Sequence, residues 1–155
     1  MPGITVNGVA ITEAEIAREA QYRDAPSAEA ALAEAARALT VRELLLQRAG
    51  ALGLVAAPLD LDDGRETEEE ALIRAVLEAE VQAPVATEAE CRRYYETHRQ
   101  RFRGPDAFEA VRGHIASYLQ EASWRRAVAQ YIALLAGQAS IEGVELRASA
   151  SPLVQ

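Results

Sequence analysis

The chain has 155 residues, half of them hydrophobic, and carries a net charge of −8 from 16 basic and 24 acidic side chains. That length supports one domain with a real core, while the negative balance argues against general binding to nucleic acid or to an anionic membrane, both of which need a positive field. Every basic residue is Arg, Cys91 is the single cysteine so that no internal disulfide can form, and no apolar run reaches the ~18 residues of a membrane span.

The first residues, Met-Pro-Gly, are not followed by the basic and apolar regions of a secretory leader. The expected compartment is therefore the cytoplasm, or the periplasm if a leader preceded this numbering. Ile4-Thr5-Val6, Asn7-Gly8 and Val9-Ala10-Ile11 read as a hairpin, because Asn-Gly tolerates the positive φ of a type I′ turn. A lone hairpin is marginal and wants a third strand. The candidate is distant, Ile141 to Leu146, so the two ends of the chain are expected to meet in one small sheet.

Thr12 with Glu15 forms a capping box and opens a helix to about Asp24, with Ile16 and Ala20 on its inner face and Tyr22 or Arg23 near it. Ala25-Pro26 breaks that helix and Ser27 caps the next, Ala28 to Leu52, whose Leu32, Ala36, Leu39, Leu44, Leu45 and Leu46 cover much of its girth. Val55 to Arg65 reads as a solvated acidic loop. Gly64 falls where a calcium loop would need an acid, which speaks against calcium. Thr67 with Glu70 and Thr87 with Glu90 are two further capping boxes. They open a helix ending before Pro84 and one carrying Cys91, Tyr94, Tyr95, His98 and Phe102.

Pro105 to about Gly137 reads as one long helix, with Pro in its first turn and Gly at its left-handed cap. Its apolar stripe rotates near Ala122–Trp124, so two groups of elements are expected to pack along it. The expected fold is mainly α. About five helices surround one long C-terminal helix, and a small sheet joins the N-terminal hairpin to the C-terminal strand. One domain covers 1–147 and a flexible tail covers 148–155.

The search for chemistry ends without a site. Cys91 and His98 lie about 10 Å apart along one helix, too far for one metal ion. His114 has no acid before it at helical spacing, and no phosphate-binding loop or nucleophile motif is present. The residues predict no enzyme, no metal and no cofactor. The aromatics Tyr94, Tyr95, Phe102, Phe108, Tyr118, Trp124 and Tyr131 gather around the last two helices. They either fill a core or line a partly open groove for peptide segments.

The order of segments resembles a known family. Val6 to Ile16, V-N-G-V-A-I-T-E-A-E-I, resembles the start of the SurA-like chaperone module of parvulin-type prolyl isomerases, closest to the members related to NifM. Ala86 to Phe102, with its Y-Y-E and terminal F, is similar to the segment preceding the isomerase domain in that family. Phe108 to Leu119 resembles the helix that resumes after it, and Ile141 to Leu146 the closing strand. Only Arg103 to Ala107 separates the flanks, so the isomerase domain, with its catalytic histidines, has no counterpart here. The resemblance implies an ATP-independent chaperone module that holds unfolded or immature client proteins in an apolar groove. Tyr95, Phe102, Tyr118 and Trp124 are the expected contact surface, and the net negative charge is expected to disfavour acidic clients. The alternative is a helical dimerisation or interaction module without chaperone activity of its own, including a homodimer that exchanges elements through the short Arg103–Asp106 connection.

Overall fold

Asn7 takes φ 51° and Gly8 φ 83°, the left-handed pair of a type I′ turn. It joins β1 (Ile4–Val6) to β2 (Val9–Ile11) in antiparallel register, with Ile4 opposite Ile11 and Val6 opposite Val9. On the other edge of β1 lies β5 (Ile141–Glu142), giving the order β2-β1-β5. The computed structural model describes residues 3–102, 104 and 107–144, so the tail 148–155 and Arg103, Pro105 and Asp106 of the expected insertion point lie outside the described residues.

The two ends do meet, through a strand shorter than the sequence suggests. Gly143 turns at φ 97°, where a Cβ would stand 2.8 Å from the Gly3 carbonyl oxygen, so the chain leaves the sheet there. Val144 still packs on the core beneath the sheet, and Glu145 and Leu146 are not among the described residues.

Five α-helices make up most of the described residues. All three capping boxes form: Thr12 and Glu15 open α1 (Glu13–Ala20), Thr67 and Glu70 open α3 (Glu68–Glu80), and Thr87 and Glu90 open α4 (Glu88–Thr97). Ser27 caps α2 (Ala28–Leu52), which ends on Gly53 in the left-handed conformation. Helix α1 stops four residues before the expected Asp24. The carbonyls of Arg18, Glu19 and Ala20 instead accept from amides three residues on, a tightened last turn ahead of Pro26. Tyr22 is consequently exposed rather than near the inner face.

The acidic stretch expected to be a solvated loop contains a short hairpin, β3 (Asp60–Leu61) against β4 (Gly64–Arg65). Arg74 on α3 secures its base by donating to Glu66 and to the Ala57 carbonyl.

The last helix, α5 (Ala107–Gln138), continues through Gly137, which is helical rather than a left-handed cap. The chain divides into two compact units: Met1–Val81 with Val128–Gln155, and Gln82–Ala127. Sequence patterning leads one to expect a single domain over this range. Helix α5 contributes to both. Ala107, Phe108 and Ile115 are buried in its first part, and Val128, Ala129 and Ile132 in its second.

In the first unit Ile4, Val6, Ile11, Ile16, Ala35, Ala36 and Leu44 form the core, and small Ala side chains bring α2 close to the sheet and α1. Glu80 on α3 accepts from Arg48 Nε at 2.7 Å and from the Tyr131 hydroxyl at 3.0 Å, tying α2, α3 and α5 together. The Arg48 bond, then the Tyr131 bond, holds the Glu80 carboxyl below the ordinary carboxylate range, and Arg74 does the same for Glu66. Burial, followed by the bond to Glu80, pushes the Tyr131 hydroxyl up.

A depressed carboxyl stabilises the fold above its unfolded pKa of about 4.3, and that contribution is lost as pH falls through the lower folded value. A raised Tyr contributes below its unfolded pKa of about 10 and stops contributing as pH rises through the folded value. Urea midpoints measured against pH should therefore decline at both ends. Glu80→Gln should be less stable than the parent at neutral pH, with a flatter acid arm. An acid arm as steep as the parent's would remove Glu80 as a cause.

Candidate functional site

The second unit brings the aromatic residues of α4 and the start of α5 together, with burial falling from a central ring to its half-buried and exposed neighbours. Tyr94 and Tyr95 are successive on α4 and so point about 100° apart. Tyr95 is buried, its ring 5.1 Å from Phe102 and 5.5 Å, edge-on, from Phe108. A 3₁₀ turn at Arg99–Arg101 makes the Phe102 contact possible by folding the chain back after α4. His98 closes α4, its backbone N–H and its ring Nδ1 both meeting the Tyr94 carbonyl. Cys91, Ala107 and Ile115 complete this core. Two guanidinium groups lie over its rings, Arg92 at 4.4 Å from Phe108 and Arg99 at 5.4 Å from Tyr95.

Tyr94 is half-buried at the edge of this core. Its ring lies 4.2 Å from His98 and 5.4 Å from Tyr118, and its hydroxyl accepts from Arg101 at 3.2 Å. Tyr118 is 52 % exposed, which leaves a large aromatic face in contact with water. Next to it on α5 are two shallow hollows that share Gln120 and Glu121. One, of about 370 Å³, is bounded by Val85, Ala86, Ala116 and Ser117; the other, of about 350 Å³, by Trp124 and Arg125. The Gln120 side chain accepts from the Ala86 amide, pinning the segment before α4 against α5. Val85 is held there 79 % exposed.

The four expected contact residues therefore share one unit but not one surface. Tyr118 is open, Trp124 and Phe102 are half-buried, and Tyr95 is core. Tyr131 belongs to the first unit, so the seven aromatics are not one cluster. Sequence patterning assigns no surface role to Arg101 or Val85. A count of charge by segment is the signal that marks the arginines.

The first unit has a cleft of about 330 Å³ floored by Ile11, Leu39 and Leu46. Its carboxylates are already engaged: Glu15 by the Thr12 amide, Glu19 by Arg23, Glu43 by Gln47 and Glu69 by Arg42. Among the described residues no group of three or more His, Cys, Asp or Glu could hold a metal ion, and no helix is long and apolar enough to cross a membrane. No protein-family model, curated protein or solved structure matches this chain.

Proposed function

We propose that this chain holds unfolded or immature client segments by apolar contact without ATP, as the chaperone module of the SurA-like, NifM-related family of parvulin-type isomerases without its isomerase domain. The observation that carries the reading is the exposed ring of Tyr118, set against Tyr94 on the stretch of α5 that also borders the Val85 and Trp124 hollows. An exposed ring with apolar hollows on the same helix offers a surface that an apolar side chain of another segment can cover. The order of segments that resembles the family supports the same reading. The contact surface is accordingly Tyr118, Trp124, Val85 and the half-buried edge of Phe102, with Tyr95 supporting it from the core.

Light scattering of a chemically denatured client after dilution, without nucleotide, tests this. A molar excess of the protein should suppress the scattering, whereas an inert acidic protein should not. Tyr118→Ser combined with Trp124→Ser should lose most of the protection while keeping the helical circular dichroism. Scattering that the parent protein leaves unchanged would refute the holding function and favour a helical interaction module.

A further inference from the structure

We propose that the segments held by the second unit are acidic, with an apolar or aromatic anchor flanked by Asp or Glu; this rests on the holding function proposed above. The chain's charge is segregated. Gln82–Ala127 has eight Arg against six Asp and Glu, a net +2, and the rest of the chain has eight Arg against eighteen acids, a net −10. The overall −8 thus conceals a basic unit.

Its described arginines are of two kinds. Arg92 pairs with Glu88, Arg99 with Glu96, and Arg112 with Glu88 and Glu109. Arg93, Arg101, Arg125 and Arg126 are exposed and have no carboxylate partner among the described residues. Arg101 donates to the Tyr94 hydroxyl and Arg126 to the Ser123 hydroxyl, neutral acceptors that leave their charge uncompensated.

Two of the four stand at the aromatic site. Arg101 is bonded to Tyr94, whose ring meets Tyr118. Arg125 lines the Trp124 hollow and lies seven residues after Tyr118, on the same helix face and about 10 Å further along. The strip thus reads guanidinium, two rings, guanidinium. Glu121, on that face between Tyr118 and Arg125, offsets part of one charge. A segment with an apolar anchor on the rings places flanking carboxylates near both guanidinium groups, where paired charges steer and select more than they tighten. A nucleic-acid strand is the poorer occupant. Its charge continues along its whole length and meets the −8 of the entire chain, whereas a short peptide meets the local field within the Debye length of about 8–10 Å.

Fluorescence anisotropy with three labelled peptides decides the matter, each with the same aromatic anchor but with Asp/Glu, Ser or Lys flanks. At low salt the acidic peptide should bind on the order of tenfold more tightly than the Lys peptide, the combined effect of two exposed ion pairs at the upper end of their range. The gap should close at high salt. In an Arg101→Gln, Arg125→Gln variant with unchanged circular dichroism the ratio between those two peptides should approach one. The salt dependence of the parent protein tests the idea even if that variant misfolds. Ser or Lys peptides binding as tightly as the acidic one would overturn the acidic preference and leave the holding function standing. No binding by any peptide would refute both. A thymidine oligonucleotide that binds more tightly than the acidic peptide and displaces it would overturn the inference in favour of a nucleic-acid surface.

Discussion

Replacing Phe108 by Ala should cost the second unit about 3–5 kcal/mol, the usual range for emptying an aromatic site in a core. Phe108 is 8 % exposed, stands edge-on to Tyr95 at 5.5 Å and carries Arg92 over its face. Truncation therefore leaves a cavity, removes an aromatic pair and strips one guanidinium of its ring. The unit is small and its buried core consists of Cys91, Tyr95, Ala107, Phe108 and Ile115. A core of that size has little margin, so a loss of this magnitude should open it. Hydrogen exchange is the informative readout. Amides in α4 and in the first part of α5 should lose protection, while those around Ala35, Leu44 and Val76 keep it, because those residues belong to the other unit. Phe108→Leu, which retains most of the volume, should fall between parent and Ala variant. An even loss of protection over the whole chain would refute the separate core of the second unit.

Asn7→Ala should lower stability by about 2–3 kcal/mol even though the residue is exposed. Three roles meet in this side chain. At φ 51° it occupies a conformation that disfavours Ala by about 1 kcal/mol or more. Its Oδ1 accepts from the Ser140 amide at 2.8 Å, and its Nδ2 donates to Gln47 Oε1 at 2.8 Å. Gln47 in turn donates to the Val6 carbonyl, so the turn, α2 and the end of the chain form one network. Each side-chain bond contributes about 0.5–1 kcal/mol, the lower part of the usual range, because solvent competes at the surface. Asn7→Gly separates the contributions: it keeps the turn conformation and loses both side-chain bonds, so its cost should be about half. Urea unfolding with linear extrapolation measures both variants. An Ala variant within experimental error of the parent would remove Asn7 as the latch between the ends.

Features governed by neighbours three or four residues away are legible in the amino-acid order itself. The three Thr–Glu capping boxes, the Ser27 cap, the Asn7-Gly8 turn and the span of α2 all depend on hydrogen bonds within one turn of chain. The meeting of β1 with the distant closing strand is also accessible, because a two-stranded hairpin is too weak alone and few other segments alternate properly. The short hairpin at Asp60 to Arg65 escapes such a reading although Asp63-Gly64 is a turn signal. Its strands have two residues each and no apolar alternation to mark them.

The candidate site is legible only in part, for a reason visible in Tyr94 and Tyr95. Composition locates the aromatic residues on α4 and α5, yet it does not say which of two adjacent tyrosines takes the centre of the core and which its edge, since neighbouring helix positions such as Leu44 and Leu45 can both be buried. The choice depends on where Phe102 and Phe108, further along the chain, come to rest. The same holds for Gly137, whose place as cap or helix interior depends on whether packing extends the helix beyond it. The sequence alone determined the helices, their starts, the terminal sheet and the surplus of arginine between Arg92 and Arg126. Those properties are set by the local backbone and by composition. Tertiary structure alone decided that Tyr95 is core while Tyr118 meets water, that α5 serves two units, and that Arg101 and Arg125 stand on either side of the Tyr94–Tyr118 pair. Each of those outcomes is set by contacts between segments, and no local rule contains them.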